Sequence, residues 1–290
     1  MKLTIGLAQI SPRLGDVPAN LDKHLQFIER AEAQSVELLV FPELSLTGYM
    51  LQDLVHDTAI AVARTPAPSD PLLAPLMEAS HKLDLVVGLA ERDVRGRLFT
   101  SSLYLAQGQI VHIHRKVYLP TYGMFDEGRD FDLGEEVRAF DTRFGRAGLL
   151  ICEDFWHASP PYLLWLDGAD LMLLTSSSPG RGIDHHNKLS SSRFVELVNQ
   201  AYASLFGCFV AHTNRVGFED GVNFWGGSSV CGPDGELIAQ APYWEESLLV
   251  TTLDLSALRR ARARMPLLRD ERPELTQREL ARILQKQSEV

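Results

Sequence analysis

Three chemically reactive residues each follow a short apolar run in this sequence. Glu43 follows the run VELLVFP, Lys116 follows QIVHIHR, and Cys152 follows AGLLI. Short apolar runs bounded by turn residues are typical of buried strands. Because ligands of open α/β sheets bind beyond the carboxyl ends of the strands, we expect a carboxylate, an ammonium and a thiol to meet at one edge of one sheet.

Glutamate, lysine and cysteine together suit the cleavage of a carbon–nitrogen bond. A thiol that attacks an unactivated carbonyl carbon needs a base to take its proton. The oxyanion that forms needs positive charge or hydrogen-bond donors nearby, and the leaving amine needs a proton, which the same base can return. These residue types fill the three roles without a histidine, a metal or a cofactor. Each residue alone is a weak signal, since a cysteine after an apolar run is usually a small core residue.

The residues after Cys152 pose a difficulty for this chemistry. Glu153 and Asp154 follow the cysteine directly, and neighbouring negative charge raises the pKa of a thiol and makes it a poorer nucleophile. If Cys152 ends a strand and begins a turn, the two acids need not point where the sulfur points. We therefore expect backbone N–H groups at the start of a helical turn, together with Lys116, to offset their charge.

The composition of the chain excludes several classes of protein. Its 290 residues are 45% hydrophobic and carry a formal net charge of −10, with no basic stripe of the kind that binds nucleic acid. No apolar run reaches the roughly 18 residues that span a bilayer, and MKLTIGLAQ lacks the apolar core of a signal peptide. Cys152, Cys208 and Cys231 are too few and too far apart to predict a disulfide framework or a zinc site. We therefore expect a cytoplasmic protein.

Alternating strand and helix patterns predict an α/β layered domain with a mixed sheet. Strands are predicted at residues 2–8, 36–41, 83–90, 98–106, 109–114, 146–151, 171–175, 209–212, 228–231 and 247–253. Helices are predicted at residues 20–33, with Asn20 as the N-cap, and at 71–82, 188–205 and 277–287. The consecutive strands between residues 83 and 114 predict a meander. Residues 1–255 are predicted to form one domain, and residues 256–290 a helical tail at a subunit interface.

Three segments resemble the signatures of the nitrilase superfamily of carbon–nitrogen hydrolases. They are FPELSLTGY around Glu43, HRKVYLPTYGMFDEGRDF around Lys116 and LLICEDFW around Cys152, and the later segments TNRVG and FWGGSS match in order. The resemblance extends over residues 1–255. It implies a four-layer αββα fold, in which two β-sheets lie between helix layers. It also implies subunits that pair through helices into a homodimer or a higher homo-oligomer.

The resemblance further implies a mechanism and a small-molecule amide substrate. Cys152 attacks the carbonyl carbon, and Glu43 takes the thiol proton. Lys116 and the backbone N–H of Glu153 stabilise the oxyanion. The amine leaves with a proton from Glu43, and water activated by the same carboxylate hydrolyses the thioester. Glu127 is expected to hydrogen-bond Lys116 and to orient it.

Within the superfamily, the sequence is most similar to the glutaminase domain of glutamine-dependent NAD synthetases. The similarity lies in ELSLTGY, in LPTYGMFDE and in SSSP. It implies that five residues hold or line the substrate: Tyr49, Tyr122, Glu153, Ser176 and Ser178. Phe125 is interpreted as a wall of the pocket, with plain core packing as the equal alternative.

Two departures from that branch leave the substrate open. The segment after SSSP is GRGIDHH, where the branch has an arginine-rich run, so the sequence assigns no role to Arg181 or His185. His185 and His186 are interpreted as a solvated pair rather than metal ligands, and His157 as a pocket-rim residue or a residue without a role. The sequence has no S-G-G-x-D-S nucleotide-binding loop, so we expect a standalone amidase. The alternatives are an N-carbamoyl amino acid hydrolase, an ω-amidase, a nitrilase, or an ammonia-supplying or non-catalytic subunit of a separate NAD synthetase.

Overall fold

A computed structural model of the chain describes residues 1–62, 70–182 and 189–288. The strands within these ranges are β1 (Lys2–Gln9), β2 (Leu38–Val40), β3 (Ile60–Ala61), β4 (Asp84–Arg92), β5 (Leu98–Ala106), β6 (Gln109–Arg115), β7 (Phe140–Thr142), β8 (Gly145–Ile151), β9 (Leu171–Ser176), β10 (Phe209–Asn214), β11 (Val216–Glu219), β12 (Val222–Trp225), β13 (Ser229–Cys231), β14 (Leu237–Gln240) and β15 (Ser247–Asp254). The α-helices are α1 (Val17–Glu32), α2 (Val55–Thr58), α3 (Ala74–Ala79), α4 (Ser159–Leu166), α5 (Ser190–Phe206), α6 (Ser256–Arg264), α7 (Leu267–Asp270) and α8 (Pro273–Ser288). None of these helices is both long enough and apolar enough to cross a bilayer.

The strands form two mixed sheets and one separate hairpin. The first sheet has the order β15-β1-β2-β4-β5-β6, with β3 paired to β4, and the second has the order β14-β13-β10-β9-β8-β7. Strands β1, β2 and β4 run parallel, as do β8, β9 and β10. The run β4–β5–β6 is the predicted antiparallel meander. Strands β11 and β12 form the hairpin.

The apolar side chains of the strands divide the molecule into four layers. Phe27 of α1 packs in one buried cluster with Leu85 of β4, on the outer face of the first sheet. Leu7 of β1 and Leu173 of β9 share a second cluster, which lies between the two sheets. Phe206 of α5 belongs to a third cluster on the outer face of the second sheet. Because central strands are buried on both faces, they read as continuous apolar runs. The predicted αββα fold is confirmed.

The first helix begins earlier than the sequence pattern indicated. Asp16 is its N-cap, and the Asp16 carboxylate accepts a hydrogen bond from the amide nitrogen of Ala19 at 3.1 Å. The prediction of Asn20 as the N-cap is therefore wrong. The buried Asn20 side chain instead donates to the carbonyl oxygen of Leu46 at 2.9 Å. This bond ties α1 to the loop that follows β2.

Other helix boundaries also differ from the predicted ones. The predicted helix at 71–82 is a 3₁₀ turn, Pro71–Leu73, followed by the short α3. It ends where the Ser80 hydroxyl donates back to the carbonyl oxygen of Met77 at 2.7 Å, a local bond that competes with helix continuation. Helix α5 ends at Gly207, whose φ of 55° is a left-handed cap. Lys188, the predicted start of α5, lies outside the described residues. Helix α8 extends beyond the predicted range 277–287 at both ends.

Candidate active site

The three reactive residues come from two sheets rather than one. Glu43 and Lys116 follow β2 and β6 of the first sheet, whereas Cys152 follows β8 of the second. The expectation of one edge of one sheet is therefore wrong. The two antiparallel turns of the meander return β6 to the direction of β2, so both strands end at the same edge. The second sheet packs face to face on the first, and this packing brings the end of β8 to the same place.

The turn that carries Glu43 lies directly on Gly88 of β4. A Cβ atom at residue 88 would lie 2.3 Å from the carbonyl oxygen of Pro42 and 2.6 Å from the amide nitrogen of Leu44. Leu44 has a φ of 51°, in the left-handed region that costs a non-glycine residue roughly 1–2 kcal/mol. Ser177 holds the other side of Glu43, since the Ser177 N–H donates to Glu43 Oε2 at 2.7 Å. The sequence interpretation gave Ser177 no role, although it lies within the SSSP segment.

Lys116 is a buried cation between two carboxylates. Its Nζ lies 2.8 Å from Glu43 Oε1 and 2.7 Å from Glu127 Oε2. Burial lowers the pKa of Lys116, but the charges of Glu127 and Glu43 outweigh burial and hold this pKa well above its ordinary value. Lys116 is therefore an ammonium at neutral pH. The predicted contact between Glu127 and Lys116 is present in the structure.

Cys152 occupies a sharp turn between β8 and a single 3₁₀ turn, Cys152–Phe155. Its φ of 44° is in the left-handed region, a strained conformation of the kind that clusters at functional sites. Burial, and then the Glu43 carboxylate, raise the pKa of the Cys152 thiol, while Lys116 and a hydrogen bond with Ser176 act in the opposite direction. The net shift is strongly upward, so sulfur carries its proton at neutral pH. A base must remove that proton before the sulfur can attack.

Glu43 has the protonation behaviour that such a base requires. Burial raises the pKa of Glu43, while the Lys116 charge and the hydrogen bond from Ser177 lower it, and the result is about 7. A carboxyl group with this pKa can both accept and return a proton near neutral pH. The Glu43 charge also acts electrostatically on the Cys152 thiol. Glu43 is therefore the candidate base for this thiol.

Tyr49 contacts the acid that holds the lysine. Its hydroxyl donates to Glu127 Oε1 at 2.7 Å, and the side chain is buried. A cavity of about 100 Å³ adjoins this contact and is lined in part by Tyr49, Phe125 and Glu127. The predicted role of Tyr49 in holding the substrate stays a prediction, and its hydroxyl has a defined partner within the site.

Asp154 connects the two segments that carry the lysine and the cysteine. Its Oδ1 accepts hydrogen bonds from the amide nitrogens of Val117 and Tyr118, both at 2.9 Å. Its Oδ2 lies 2.8 Å from His114 Nε2 and accepts from the amide nitrogen of Ile151 at 3.0 Å. Both carboxylate oxygens are therefore occupied by these partners. The role of Asp154 in joining the two segments was not predicted, because the sequence showed only an acid two residues after the cysteine.

Glu153 and Tyr122 lie together at the solvent-exposed side of the site, which we call its mouth. The hydroxyl of the half-exposed Tyr122 donates to Glu153 Oε2 at 2.8 Å. The imidazole of His157 lies 3.4 Å from the other carboxylate oxygen of Glu153 and stacks on the ring of Tyr118 at a centroid distance of 3.7 Å. Two predicted substrate residues, Tyr122 and Glu153, therefore lie together, with His157 beside them.

Arg181 brings a positive charge to the same mouth. Its guanidinium carbon lies 4.7 Å from the ring centroid of Phe125, and Phe125 meets Tyr122 edge to face at 5.6 Å. A Cβ atom at Gly123 would lie 2.9 Å from Arg181 Nη1. Arg181 therefore covers the loop that carries Tyr122 and Phe125. No role could be predicted for Arg181, because its place in the fold depends on a loop that has no periodic pattern.

The remaining predicted residues, Ser176 and Ser178, are buried at the end of β9. Their hydroxyl oxygens lie 2.9 Å apart, and the hydrogen bond of Ser176 with Cys152 places it beside the thiol. The amide nitrogen of Ser178 donates to the side-chain oxygen of Asn214 at 2.9 Å. Across residues 1–62, 70–182 and 189–288, no group of three or more His, Cys, Asp or Glu side chains could hold a metal ion. His185 and His186 lie outside these ranges.

Known proteins similar to this chain fall into two groups by length. A glutamine-dependent NAD(+) synthetase of Aquifex aeolicus is 32% identical over 261 residues, which are 90% of this chain and 44% of the synthetase. A hydrolase of Pseudomonas protegens, named for the 5′ region of pqqF, is 32% identical over 275 residues, which are 94% of this chain and 90% of that hydrolase. The chain thus spans less than half of the synthetase and most of the hydrolase.

The fold also matches that of solved structures. A carbon-nitrogen hydrolase from Helicobacter pylori aligns with a TM-score of 0.81 over 97% of this chain and 99% of its own, at 22% identity. In sequence, residues 4–263 match the family model of the carbon-nitrogen hydrolases. This match covers most of the chain, and the protein therefore belongs to the carbon-nitrogen hydrolase family and is a hydrolase that acts on carbon–nitrogen bonds.

Proposed function

We propose that the protein is a cysteine-dependent amidase of the glutaminase type, which hydrolyses a small carboxamide through a thioester on Cys152. One observation carries this proposal. The buried Lys116 ammonium is held between Glu43 and Glu127, and both Lys116 and Glu43 interact electrostatically with the Cys152 thiol. A nucleophile, a base and a fixed positive charge are thus present in one buried site, where electrostatic stabilisation is strong.

The first half-reaction forms the thioester. The Cys152 sulfur attacks the carbonyl carbon while Glu43 takes the thiol proton, a C–S bond forms, and an electron pair moves to the carbonyl oxygen. Lys116 and the backbone N–H of Glu153 stabilise that oxyanion. As the oxyanion collapses, the C–N bond breaks, and ammonia or an amine leaves with the proton from Glu43.

The second half-reaction releases the acid and restores the enzyme. Glu43 takes a proton from water, whose oxygen attacks the thioester carbonyl, and the new oxyanion is held by the same donors. The C–S bond then breaks, the carboxylic acid is released, and the Cys152 sulfur recovers its proton from Glu43. The pKa of Glu43, about 7, suits a group that takes and returns a proton in each half-reaction.

Two opposite charges at the mouth favour an amino-acid amide as the substrate. Tyr122 is hydrogen-bonded to Glu153 and interacts electrostatically with Arg181. An α-amino group is complementary to the Glu153 carboxylate, and an α-carboxylate is complementary to the Arg181 guanidinium. Similarity to the Aquifex synthetase, which uses glutamine by its name, supports glutamine as the first candidate.

A substrate panel tests the proposed function. Purified protein is incubated with glutamine, propionamide, an N-carbamoyl amino acid and a short nitrile, and the release of ammonia and of the acid is measured. We expect glutamine to give the highest kcat/KM and Cys152→Ala to abolish turnover while the fold is retained. A higher kcat/KM on the carbamoyl compound or the nitrile would replace the glutaminase assignment. Full activity of Cys152→Ala would contradict the cysteine mechanism.

The synthetase similarity supports one finer proposal about partners. The released ammonia would be passed to a separate NAD synthetase, because the synthetase relatives join a matching segment to a longer chain. Co-purification with a synthetase, and a rise in glutaminase kcat when that synthetase is added, would support the proposal. A glutaminase rate that is unaffected by the synthetase would contradict it.

Free thiols at Cys152, Cys208 and Cys231 support a reducing, cytoplasmic location.

An exposed apolar face supports the proposal that two subunits pair through helices. Helix α5 exposes Phe194, Leu197 and Leu205, and the adjacent helix α4 exposes Leu163. Large apolar side chains exposed on neighbouring helices are typical of an interaction surface. Leu197→Arg should convert a dimer into a monomer in light scattering, with its circular dichroism spectrum unchanged. A monomeric wild-type protein would contradict the pairing.

A further inference from the structure

A buried ion pair lies behind the site, outside the residues that the mechanism uses. Arg215 and Glu219 are joined at 2.8 Å between Nη1 and Oε2, and both side chains are almost fully buried. The guanidinium of Arg215 also lies 4.2 Å from the ring centroid of Phe224. A buried ion pair is by itself weak evidence for stability, because apolar residues of the same volume often stabilise a core equally well. A role in the candidate active site is the alternative explanation for this pair.

The second oxygen of Glu219 holds the backbone of the loop that carries Tyr49. Glu219 Oε1 accepts hydrogen bonds from the amide nitrogens of Tyr49 at 2.8 Å and Met50 at 2.7 Å. These residues are separated from Glu219 by about 170 positions in the chain, so the contact joins the hairpin of β11 and β12 to the loop after β2. One oxygen of the Glu219 carboxylate thus binds Arg215, and the other binds the loop that carries Tyr49.

Tyr49 connects this loop to the reactive lysine through Glu127. Its hydroxyl donates to Glu127 Oε1 at 2.7 Å, and the same Glu127 oxygen accepts from Lys116 Nζ at 2.8 Å. The charges of Arg215 and Glu43 also interact across this region. A continuous path of hydrogen bonds therefore runs from the buried pair through Tyr49 to the ammonium.

We propose that Glu219, held by Arg215, is a positioning residue. It acts through the Tyr49 hydroxyl to hold the Glu127 carboxylate in hydrogen-bonding position beside the Lys116 ammonium. The inference rests on the proposed function, because it assigns the pair to the same amidase site. A small displacement matters in such a site, since misplacing a reacting group by about 1 Å can slow a reaction about a hundredfold.

A double-mutant cycle distinguishes positioning from a purely structural role. In Glu219→Gln the side chain has one acceptor oxygen, so it can satisfy Arg215 or the two loop amides, but not both. Tyr49→Phe removes the hydroxyl through which the pair is proposed to act. We expect Glu219→Gln to slow the reaction of Cys152 about tenfold when Tyr49 is present, and less than about twofold in the Tyr49→Phe background. Equal slowing in both backgrounds, or none in either, would overturn the proposal.

The measured reaction is alkylation of Cys152 by iodoacetamide as a function of pH, followed by mass spectrometry of the Cys152 peptide. This readout needs no turnover, so a protein that hydrolyses no amide would refute the proposed function and still test the positioning residue. Alkylation of the buried Cys208 and Cys231 reports unfolding in the same samples. The positioning role also predicts a shifted pH midpoint in Glu219→Gln, whereas a loss of folded protein alone leaves the midpoint unchanged.

Two further variants complete the test. Asp84→Asn removes a buried carboxylate that accepts from Tyr104 at the opposite end of the first sheet. It should lower the melting temperature while leaving the alkylation rate and its midpoint unchanged. If Glu219→Gln does not fold, Glu219→Asp replaces it, because it keeps the charge beside Arg215 and withdraws the carboxylate from the loop. The same dependence on Tyr49 is expected, and its absence would overturn the proposal.

Discussion

Lys116 donates a hydrogen bond to each carboxylate oxygen of Glu127, at 2.8 and 2.7 Å. The buried ammonium needs this partner, because burial alone would lower the pKa of the lysine. Glu43 lies on another side of the same ammonium at 2.8 Å. The lysine is therefore fixed in charge and position before any substrate arrives, as electrostatic stabilisation of an oxyanion requires.

Removing the second acid should reduce turnover more than binding. Glu127→Gln presents an amide nitrogen or a single oxygen to Lys116, so the ammonium loses both a charge and a hydrogen bond. We expect kcat to fall about a hundredfold and KM to change less than about threefold, as measured by steady-state kinetics on the best amide. Asp126→Asn, at the exposed neighbouring acid, should retain wild-type kcat. An unchanged kcat in Glu127→Gln would remove this acid from the mechanism.

The pH dependence should follow Glu43. The pKa of Glu43 is raised to about 7, and the mechanism needs its carboxylate form in the free enzyme. Below this pH the carboxyl is protonated, so kcat/KM should fall about tenfold for each pH unit. Above it, kcat/KM should level off, because the pKa values of Cys152 and Lys116 are shifted upward. A rise that instead follows an ordinary thiol pKa of about 8.5 would contradict deprotonation by Glu43.

Asp154 should behave as the link between two reactive segments. Asp154→Asn retains the shape of the side chain but replaces one of the two acceptor oxygens with an amide nitrogen. In one orientation this nitrogen faces the N–H groups of Val117 and Tyr118. In the other it faces His114 and the Ile151 N–H. Leaving buried donors unpaired costs about 1–3 kcal/mol. We expect a lower free energy of unfolding and a kcat reduced at least about tenfold. Chemical denaturation and steady-state kinetics measure the two effects.

Adding a methyl group under the Glu43 turn should displace the base. Gly88→Ala places a Cβ atom 2.3 Å from the carbonyl oxygen of Pro42, so the turn must move. We expect loss of most activity together with a lower melting temperature. Gly96→Ala is the control, since it has open space around the Cβ position and a φ of 80°. It should lose about 1 kcal/mol of stability and keep its activity, and equal activity of the two variants would contradict the tight contact at Gly88.

Charge removal at the mouth should separate amino-acid amides from simple amides. Glu153→Gln keeps the backbone donor and removes the carboxylate, and Arg181→Met keeps the stem and removes the guanidinium. Each should raise KM for glutamine about tenfold, the worth of one charge-assisted hydrogen bond, and leave KM for propionamide unchanged. Equal effects on both substrates would show that these charges support the loop rather than bind the substrate.

The sequence predicted the main strands well, because they form apolar runs, and β1, β4, β5 and β8 are mostly buried on both faces. Strand β5 was predicted with its observed bounds, and β1, β4, β8 and β15 differ from theirs by two residues or fewer at each end. The strands β3, β7, β11, β12 and β14 were missed. Each has only two to four residues and is partly exposed, so no apolar run marks it. The equally short β2 and β13 are fully buried and were predicted.

The reactive residue types could be recognised in the sequence, but the contacts between the residues of the site could not be predicted. The types and spacing of Glu43, Lys116 and Cys152 suggested carbon–nitrogen bond cleavage, because those residues follow recognisable strands. The contact of Tyr49 with Glu127 joins positions 78 residues apart, and no local pattern encodes it. The assignment of Cys152 to the second sheet was missed for the same reason, since sheet membership depends on non-local pairing.

The central claim is that Cys152 carries the acyl group during turnover, and trapping this intermediate tests it most directly. The enzyme is mixed with the best amide of the panel, quenched with acid within the first turnovers, digested, and analysed by mass spectrometry. We predict an acyl adduct on the Cys152 peptide that is absent in Cys152→Ala, which should also show no turnover. Turnover without an adduct on Cys152, together with activity retained in Cys152→Ala, would contradict the account.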